Sequence, residues 1–580
     1  MMLESLIAYA ERENLGDPDF EATAIHWLLP VGMDGRMSGN PIPLYADPDA
    51  KKPQPKRLQR PFTSPNELNQ GDKSHFLADS LERALLLPNP KAPEKLESRR
   101  QPHAYFKRLL NEAAQSCPNT APRLQAALCL LNSPEELARV HAAISELKAK
   151  PTDNIAFQVG GMSFLEDPEL REFWRSRRRA LRASTPRSKR VCLATGLLAE
   201  TLDTTEKIRG VPGGLAMGTN LISFDKDSFT SYGLSQAQNA AVSPGAELKF
   251  RSALNQLIAD GLRISDVVHL HWTREPVLTD VFAMVESADE ASVRNLLTAP
   301  QTGHAPSRLV ANAYYAMSLS GNGGRIVVRD WLESTVPEVE ANVRRWFADL
   351  SIISPDGTGT ESAFKLGRLL YALVRAKIDE LSPQLPTQLL YSALRGTPLP
   401  LTALAAALRR QQIDAGEQPN PARFALIRAC LVRSTTNSNN QPNQSAMTEC
   451  LNPDSRDAAY LCGRLFAVFD RLQYLALGSV NAGVAERFYA SACVTPALVM
   501  GRLFRNSQFH LAKAGGGIAE NVRKDFEEVA CALGDKFPPS LDLEGQGRFA
   551  LGYYHQKADY RRRTAERREQ HAEAKADAVV

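Results

Sequence analysis

The spacing of hydrophobic positions changes along the chain, and the changes predict where strands give way to helices. Leu3, Leu6, Ile7 and Ala10 fall at helical spacing, so a short amphipathic helix opens the chain. Residues 25–31 and 41–45 predict strands on either side of the Asp34-Gly35 turn. Helical patterns occupy 75–87 and 104–149, strands are expected at 154–159 and 190–194 around a helical basic stretch, and more strands at 266–272 and 314–319. Ser320-Gly321-Asn322-Gly323-Gly324 marks a hairpin. Asn-Gly between two β-rich runs suits a type I′ turn, because both central positions tolerate positive φ.

Beyond about residue 336 the pattern is helical and stays so. Ser434–Ala446 carries no charge and almost nothing to bury, which predicts a flexible linker. After it Leu461, Leu465, Val468, Phe469, Leu472 and Leu475 form one helix face that stops at Gly478. Further helices are expected to end near Gly515–Gly517 and Gly534. The fold class is therefore α+β. A mixed α/β amino-terminal region with antiparallel strands and hairpins spans 1–335, and a helical connecting region spans 336–433. The linker covers 434–446, and a carboxy-terminal all-α helical bundle of four or five helices covers 447–580.

Composition narrows the function only by exclusion. Hydrophobic content of 43% and charged content of 23% are those of a soluble globular protein. A net charge of +4 over 580 residues does not announce a nucleic-acid binder, so the distribution of charge has to decide. The eight cysteines form no C-x-x-C pair, which removes zinc ribbons and thioredoxin-type motifs. Met1–Asn14 carries Glu4, Glu11 and Glu13 and no cleavable apolar segment, and no apolar run approaches the roughly 20 residues of a membrane span. A cytoplasmic protein without membrane contact is expected.

Catalytic chemistry is hard to find. There is no P-loop, and Gly321–Gly324 is followed by the strand-like Ile326–Val328, whereas phosphate cradling needs a helix N-terminus there. His269 and His271 alternate along a strand as a metal pair could, yet no third ligand is near in sequence and Trp272 fits a packed sheet. Asp225 and Asp227 flank Lys226 in a polar loop, where carboxylates are either solvated or hold a divalent ion. No nucleophile elbow or H-E-x-x-H occurs. We assign no catalytic residue, metal or cofactor; the competing reading is a DNA-processing nuclease whose metal site would use those four residues.

Positive charge gathers in three places. Residues 171–190 hold nine cations (Arg171, Arg175, Arg177, Arg178, Arg179, Arg182, Arg187, Lys189 and Arg190) against Glu172 alone. The nearest acids lie upstream, so the run is expected to be uncompensated, and arginine suits bidentate phosphate contacts. The proline-rich 46–75 stretch carries Lys51, Lys52, Lys56, Arg57, Arg60 and Lys73 together with Asn66, Asn69 and Gln70. Cations hold a nucleic-acid backbone while amides reach base edges. The tail adds Lys557, Arg561, Arg562, Arg563, Arg567 and Arg568, partly balanced by Asp559, Glu566 and Glu569. For each cluster a solvated surface face is the alternative.

Several ordered blocks carry a resemblance. Cys192–Gly196, Ile208-Arg-Gly-Val-Pro-Gly-Gly214, Ser223-Phe-Asp, Ser231-Tyr-Gly233 and Asn239–Ser243 resemble the core pattern of the large-subunit family of type I-C CRISPR Cascade. Leu319–Arg325 with Val328–Trp331, Gly463–Ala467 and Gly552-Tyr-Tyr-His-Gln556 are similar to later blocks of the same family. The resemblance implies a subunit of an RNA-guided complex that contains CRISPR RNA, backbone subunits and small subunits. Such a subunit recognises a short motif flanking the target in double-stranded DNA, helps open the duplex, and presents the displaced single strand to a separate helicase–nuclease. It also implies an internal start for a small subunit, which Met447 fits; an ordinary linker methionine is the alternative. On this reading Asn66, Asn69 and Gln70 read base edges while Lys73 holds a phosphate or wedges the strands. Gly213 and Gly214 let backbone approach a groove with support from Gln238 and Asn239, unless the 196–244 segment simply packs on the sheet. Phosphates would be held by Lys51, Lys52, Lys56, Arg57, Arg175, Arg177, Arg178, Arg179, Arg182, Lys189 and Arg190.

Overall fold

Among the described residues strands are interleaved with helices as far as Thr360–Glu361, and beyond that only helices occur. A computed structural model describes the chain except residues 1, 49–52, 64, 69–70, 90–93, 95, 184–188, 278–279, 290–292, 294–311, 436–446, 535–536 and 578–580. Helix takes 53% and strand 16%, which makes this a helix-rich α+β fold with its small sheets in the amino-terminal region. Two compact units emerge. The first is Met1–Leu262 with Val268–Leu270 and Leu319–Arg329; the second is Arg263–Val267, His271–Ser318 and Asp330–Val580. Among the described residues no helix is long and apolar enough to cross a membrane.

In the first unit β1 (Phe20–Ile25) pairs antiparallel with β4 (Lys56–Pro61), placing Glu21 opposite Arg60. β2 (Trp27–Val31) runs parallel to β6 (Asn154–Val159), and β3 (Ile42–Pro43) and β5 (Ala78–Ser80) complete the order β3-β2-β6-β5. Alternate residues Trp27, Leu29 and Val31 point inward, whereas β6 is buried at four of its six positions, as a central strand should be. Their core partners include Phe106, Leu109 and Leu124 from helices Leu96–Ser116 and Ala121–Asn132. The helix expected over 75–87 is mostly absent. Phe76, Leu77, Ala78 and Leu81 are all fully buried, with Asp79 buried between them, and a run buried on all sides has no period that separates strand from helix. Ala78–Ser80 joins the edge of β6, and only Leu81–Ala84 is helical.

Charge is buried with this core. Arg60 Nη2 donates to Glu21 Oε1 at 2.5 Å, and Arg251 Nε donates to Glu247 Oε1 at 3.0 Å one turn along helix Pro244–Asp260. The ring of Phe62, directly after β4, lies 4.8 Å from the Arg251 guanidinium and 5.3 Å from that of Arg178. Burial pushes the Glu247 carboxyl up to about 7 although Arg251 pulls it down. Burial likewise holds His75 well below the usual imidazole range, with Arg60 and Arg209 acting in the same direction.

The strand β12 (Ala313–Asn322) turns into β13 (Arg325–Thr335) where the hairpin was expected, and β10 (Leu262–Ile264) and β11 (Val267–Thr273) extend the order β10-β11-β12-β13. Only Gly323 takes a positive φ, +58°, so the type I′ turn expected from Asn-Gly, with two such residues, does not form.

Five helices close the second unit: Ala458–Leu477, Val484–Val494, Pro496–Lys513, Gly517–Leu533 and Leu543–Asp577. Leu461, Leu465, Phe469 and Leu472 form the expected face, buried against Tyr489, Phe526, Phe549 and Tyr553. The first and last of these helices touch through glycine. A Cβ on Gly463 would lie 1.9 Å from the Phe549 carbonyl oxygen, and one on Gly552 would lie 2.1 Å from that of Tyr460. Beside the crossing Arg464 Nε donates to Gln556 Oε1 at 3.0 Å, and Tyr460 Oη lies 3.0 Å from His555 Nδ1. Helix Pro421–Thr435 covers another side: Phe424 stacks on Tyr554 at 4.3 Å, and a Cβ on Gly547 would meet Leu431 at 3.2 Å. Of the expected linker, Ser434 and Thr435 end this helix and 436–446 lie outside the described residues. Met447 is buried, and its carbonyl accepts from Arg428 Nε at 2.9 Å.

Two outcomes follow from this packing. Gly463→Ala and Gly552→Ala should each destabilise the chain by about 1–3 kcal/mol in urea unfolding, because overpacked backbone contacts cannot relax cheaply. Gly501→Ala, on a helix with open space around it, should instead stabilise by about 0.5–1 kcal/mol; a loss there equal to the other two would remove the crossing as the cause. The second concerns Glu247, whose folded value near 7 lies above the roughly 4.3 of an unfolded chain. The native state then binds the extra proton, so stability falls as pH rises through that window. The melting temperature of Glu247→Gln minus that of the parent should therefore increase from pH 5 to pH 8; a difference flat with pH would show that Glu247 does not titrate there.

Candidate nucleic-acid interface

Helix Pro168–Ala183 starts where its sequence dictates. Asp167 Oδ1 accepts from the amides of Glu169 at 2.9 Å and Leu170 at 3.2 Å, and Pro168 takes the first helical position, where no donor is needed. Its apolar side is fixed by Leu170 and Trp174, with Trp174 stacked on Phe76 at 5.2 Å and Phe173 tilted against it at 5.6 Å. That leaves the arginines on the remaining faces.

Three of these arginines, Arg175, Arg177 and Arg178, have carboxylate partners, contrary to the expectation of an uncompensated run. Arg175 Nη2 donates to Asp17 Oδ2 at 3.1 Å, Arg177 to Glu112, and Arg178 Nη1 to Glu67 Oε1 at 3.3 Å. Arg171 lies over the Phe20 ring at 4.2 Å. The acids come from positions 17, 67 and 112, so local sequence could not reveal them. Arg175 and Arg177 keep 38% of their side chains exposed, whereas Arg178 keeps 12%. Arg179 is exposed and has no ion-pair partner among the described residues. Of Arg182 only the backbone is described.

The Arg178–Glu67 pair joins two of the predicted clusters, because Glu67 sits in the short helix Pro65–Leu68 that also carries Asn66. Lys51, Lys52, Asn69 and Gln70 lie outside the described residues, as does the side chain of Asn66. Lys73 is half-buried. Lys56 and Arg57 are exposed at the start of β4, where Arg57 Nη2 donates to the Ala22 carbonyl at 3.2 Å. Lys189 is exposed and Arg190 Nη1 donates to the Gln238 carbonyl at 3.3 Å, both on β8 (Lys189–Val191).

The glycine-rich segment is used differently. A Cβ on Gly213, which has φ +71°, would lie 3.0 Å from the Gly321 carbonyl oxygen, and one on Gly321 would lie 2.3 Å from the Gly214 nitrogen. Gly321 N donates to Pro212 O at 2.6 Å and Ile326 N to Asn220 O at 2.9 Å. These glycines are explained by packing on the Leu319–Arg329 hairpin. Asn239 Nδ2 donates to the carbonyls of Leu234 at 3.0 Å and Gln236 at 3.1 Å, and Gln238 Nε2 to Asp203 at 3.4 Å, so both amides brace their own loop.

For the nuclease alternative, Asp225 is held by Arg325 and lowered below the usual carboxylate range by that contact, and Asp227 begins a short 3₁₀ turn. His269 is buried, while His271 stacks on Phe282 at 4.3 Å and lies 3.7 Å from Asp280. Among the described residues no three His, Cys, Asp or Glu side chains gather as a metal set. What the sequence reading missed was the buried ionic cluster of Arg60, Glu21, Arg251 and Glu247. Its only trace was the placing of arginines next to apolar positions.

No curated protein matches the chain. The family described as CRISPR-associated protein (Cas_Csd1) matches residues 6–561, nearly the full length, and runs through every block that carried the resemblance up to His555 and Gln556. That family makes its members components of a multi-subunit CRISPR complex. The chain belongs to the Csd1 family of CRISPR-associated proteins, the family of the type I-C large subunit.

Proposed function

We propose that the chain is a non-catalytic subunit that recognises the short motif flanking a CRISPR target in duplex DNA and holds the adjoining backbone while the strands part. The observation that carries this reading is the Arg178–Glu67 ion pair, which ties the arginine helix to the turn bearing Asn66. The helix whose cations can hold phosphates is thereby fixed to the short helix Pro65–Leu68, and duplex recognition divides its labour between such cations and amides that reach base edges. In this reading Asn66, Asn69 and Gln70 read the motif and Lys73 acts at the phosphate or the strand junction. Arg175, Arg177 and Arg179 supply the exposed cationic face. Arg178 is a positioning residue, and its contact with Phe62 keeps it so. The displaced strand would then be passed to a separate helicase–nuclease.

Met447 would serve as the internal start of a small subunit. The support is that the five helices after it share one core, to which, among the described residues, Ala415 alone comes from earlier in the chain. Expression with the rest of the complex should yield the full chain and a Met447–Val580 fragment together by mass spectrometry, and Met447→Leu should remove the fragment alone. Persistence of the fragment in that variant would exclude this start.

Duplex binding within the assembled complex separates the other roles. Arg175→Ala with Arg179→Ala should weaken binding to every sequence alike and lower the salt slope by about 1–2. Asn66→Ala with Asn69→Ala should leave the slope alone and reduce discrimination between flanking motifs by about 1–3 kcal/mol. A salt slope that does not move would make the arginine face a mere surface, and unchanged discrimination would rule out readout by the amides.

A further inference from the structure

In the second unit, helices Ala458–Leu477 and Leu543–Asp577 share a cavity of about 820 Å³. Its walls have the period of two helix faces: Asp470, Arg471 and Tyr474 from one, and Lys557, Arg561 and Arg568 from the other. The volume is that of a site for a small ligand.

The charges are unevenly settled. Lys557 Nζ donates to Asp470 Oδ2 at 3.1 Å and to Tyr553 Oη at 2.9 Å, so that cation is neutralised. The second carboxylate, Asp356, already accepts from Ser354 and from Thr358, whose amide is 3.1 Å away. Arg561 Nη1 donates to the Pro355 carbonyl at 3.0 Å, which leaves its charge uncompensated. Arg471 is a sharper case: its Nε is buried without a hydrogen-bond partner among the described residues, and its guanidinium lies 5.6 Å from the Tyr474 ring centre. Arg568 is exposed and also has no ion-pair partner among the described residues. Tyr474 keeps 57% of its surface exposed, an aromatic face open to solvent beside these cations.

Guanidinium groups without carboxylates call for an anion, and an open aromatic face beside them calls for a flat ring. We infer that this cavity seats a nucleoside phosphate, with the phosphate on Arg471, Arg561 and Arg568 and the base against Tyr474. The inference deepens the reading of the chain as a nucleic-acid-binding subunit and rests on it. It adds a second contact point, in the carboxy-terminal bundle, with single-nucleotide chemistry. The nucleotide is either one unit of a single strand or a free mononucleotide, since both present the same phosphate and ring.

The full chain can be tested with fluorescein-labelled oligo-dT of fifteen residues by anisotropy and with AMP by thermal shift. Tyr474→Ala and Arg568→Ala lie at exposed positions and should melt like the parent. If the site takes a strand, each should weaken the oligonucleotide about tenfold, and an abasic oligomer of the same length should bind weakly and be indifferent to Tyr474. If it takes a free nucleotide, AMP should raise the melting temperature of the parent and not of the variants, while oligonucleotide affinity stays put. Either pattern supports the site. Oligonucleotide and AMP responses that are the same in parent and variants overturn it. Duplex affinity of these two variants should match the parent; loss of duplex discrimination on altering Asn66 and Asn69 belongs to the other unit, so the two readings fail separately.

Discussion

A guanidinium taken out of water must find a negative partner or a fan of carbonyls, and this chain buries one arginine after another. Arg60 meets Glu21 and Arg251 meets Glu247 in the first unit. In the second, Arg423 meets Asp414 at 2.7 Å and Arg433 meets Asp349 at 2.7 Å while also donating to the Ser392 carbonyl. Removing either member of such a pair strands the other charge in a poor dielectric, which costs far more than the intact pair contributes. These pairs therefore act less as glue than as constraints on which arrangement of elements is permitted. β1 and β4 can pair in one register only if Glu21 stands opposite Arg60. Helix Pro244–Asp260 closes its own pair, Arg251 with Glu247, and meets Phe62 through the Arg251 guanidinium 4.8 Å from that ring.

That constraint explains why the arginines of helix Pro168–Ala183 differ in role although their sequence makes them look alike. Arg178 belongs with the buried set, closed off by Glu67 and Phe62. Arg175 and Arg177 meet their acids at the surface, where an ion pair is worth little and a phosphate can take the place of the carboxylate. A helix of this kind is partly a strut and partly an exposed cationic surface. On the proposed reading, its effect on DNA rests on the exposed members alone. The family places the chain within a multi-subunit CRISPR complex.

Much of the fold could be read from the sequence wherever one period held. The strand at 154–159 and the helix face from Leu461 to Leu475 appear where their spacing puts them. The stretch around Phe76 to Leu81 could not be read, because burial on all sides erases the period that separates the two structures. For the candidate site, the arginines were visible and their partners were not: Asp17, Glu67 and Glu112 lie 158, 111 and 65 residues from the arginines they meet. The blocks at Gly463 and Gly552 were likewise recognisable as patterns. That each glycine exists to admit the other helix is a property of the crossing, which no linear stretch contains.

Helix Pro421–Thr435 has a bearing on what the bundle is. It lies before Met447, yet it supplies the Phe424 ring that stacks on Tyr554 and the Leu431 side chain that faces Gly547. A polypeptide beginning at Met447 would keep its interior and lose this lid, baring a tyrosine and a shallow glycine notch to solvent. Such a fragment would be a complete core with an incomplete surface. It would have reason to seek another molecule's helix for that strip, whereas in the full chain the strip is already taken. The elements before Met447 that cover the last helix, helix Pro421–Thr435 and the 353–357 stretch among them, would thus decide whether the same five helices are a domain closed on itself or a building block with an open valence.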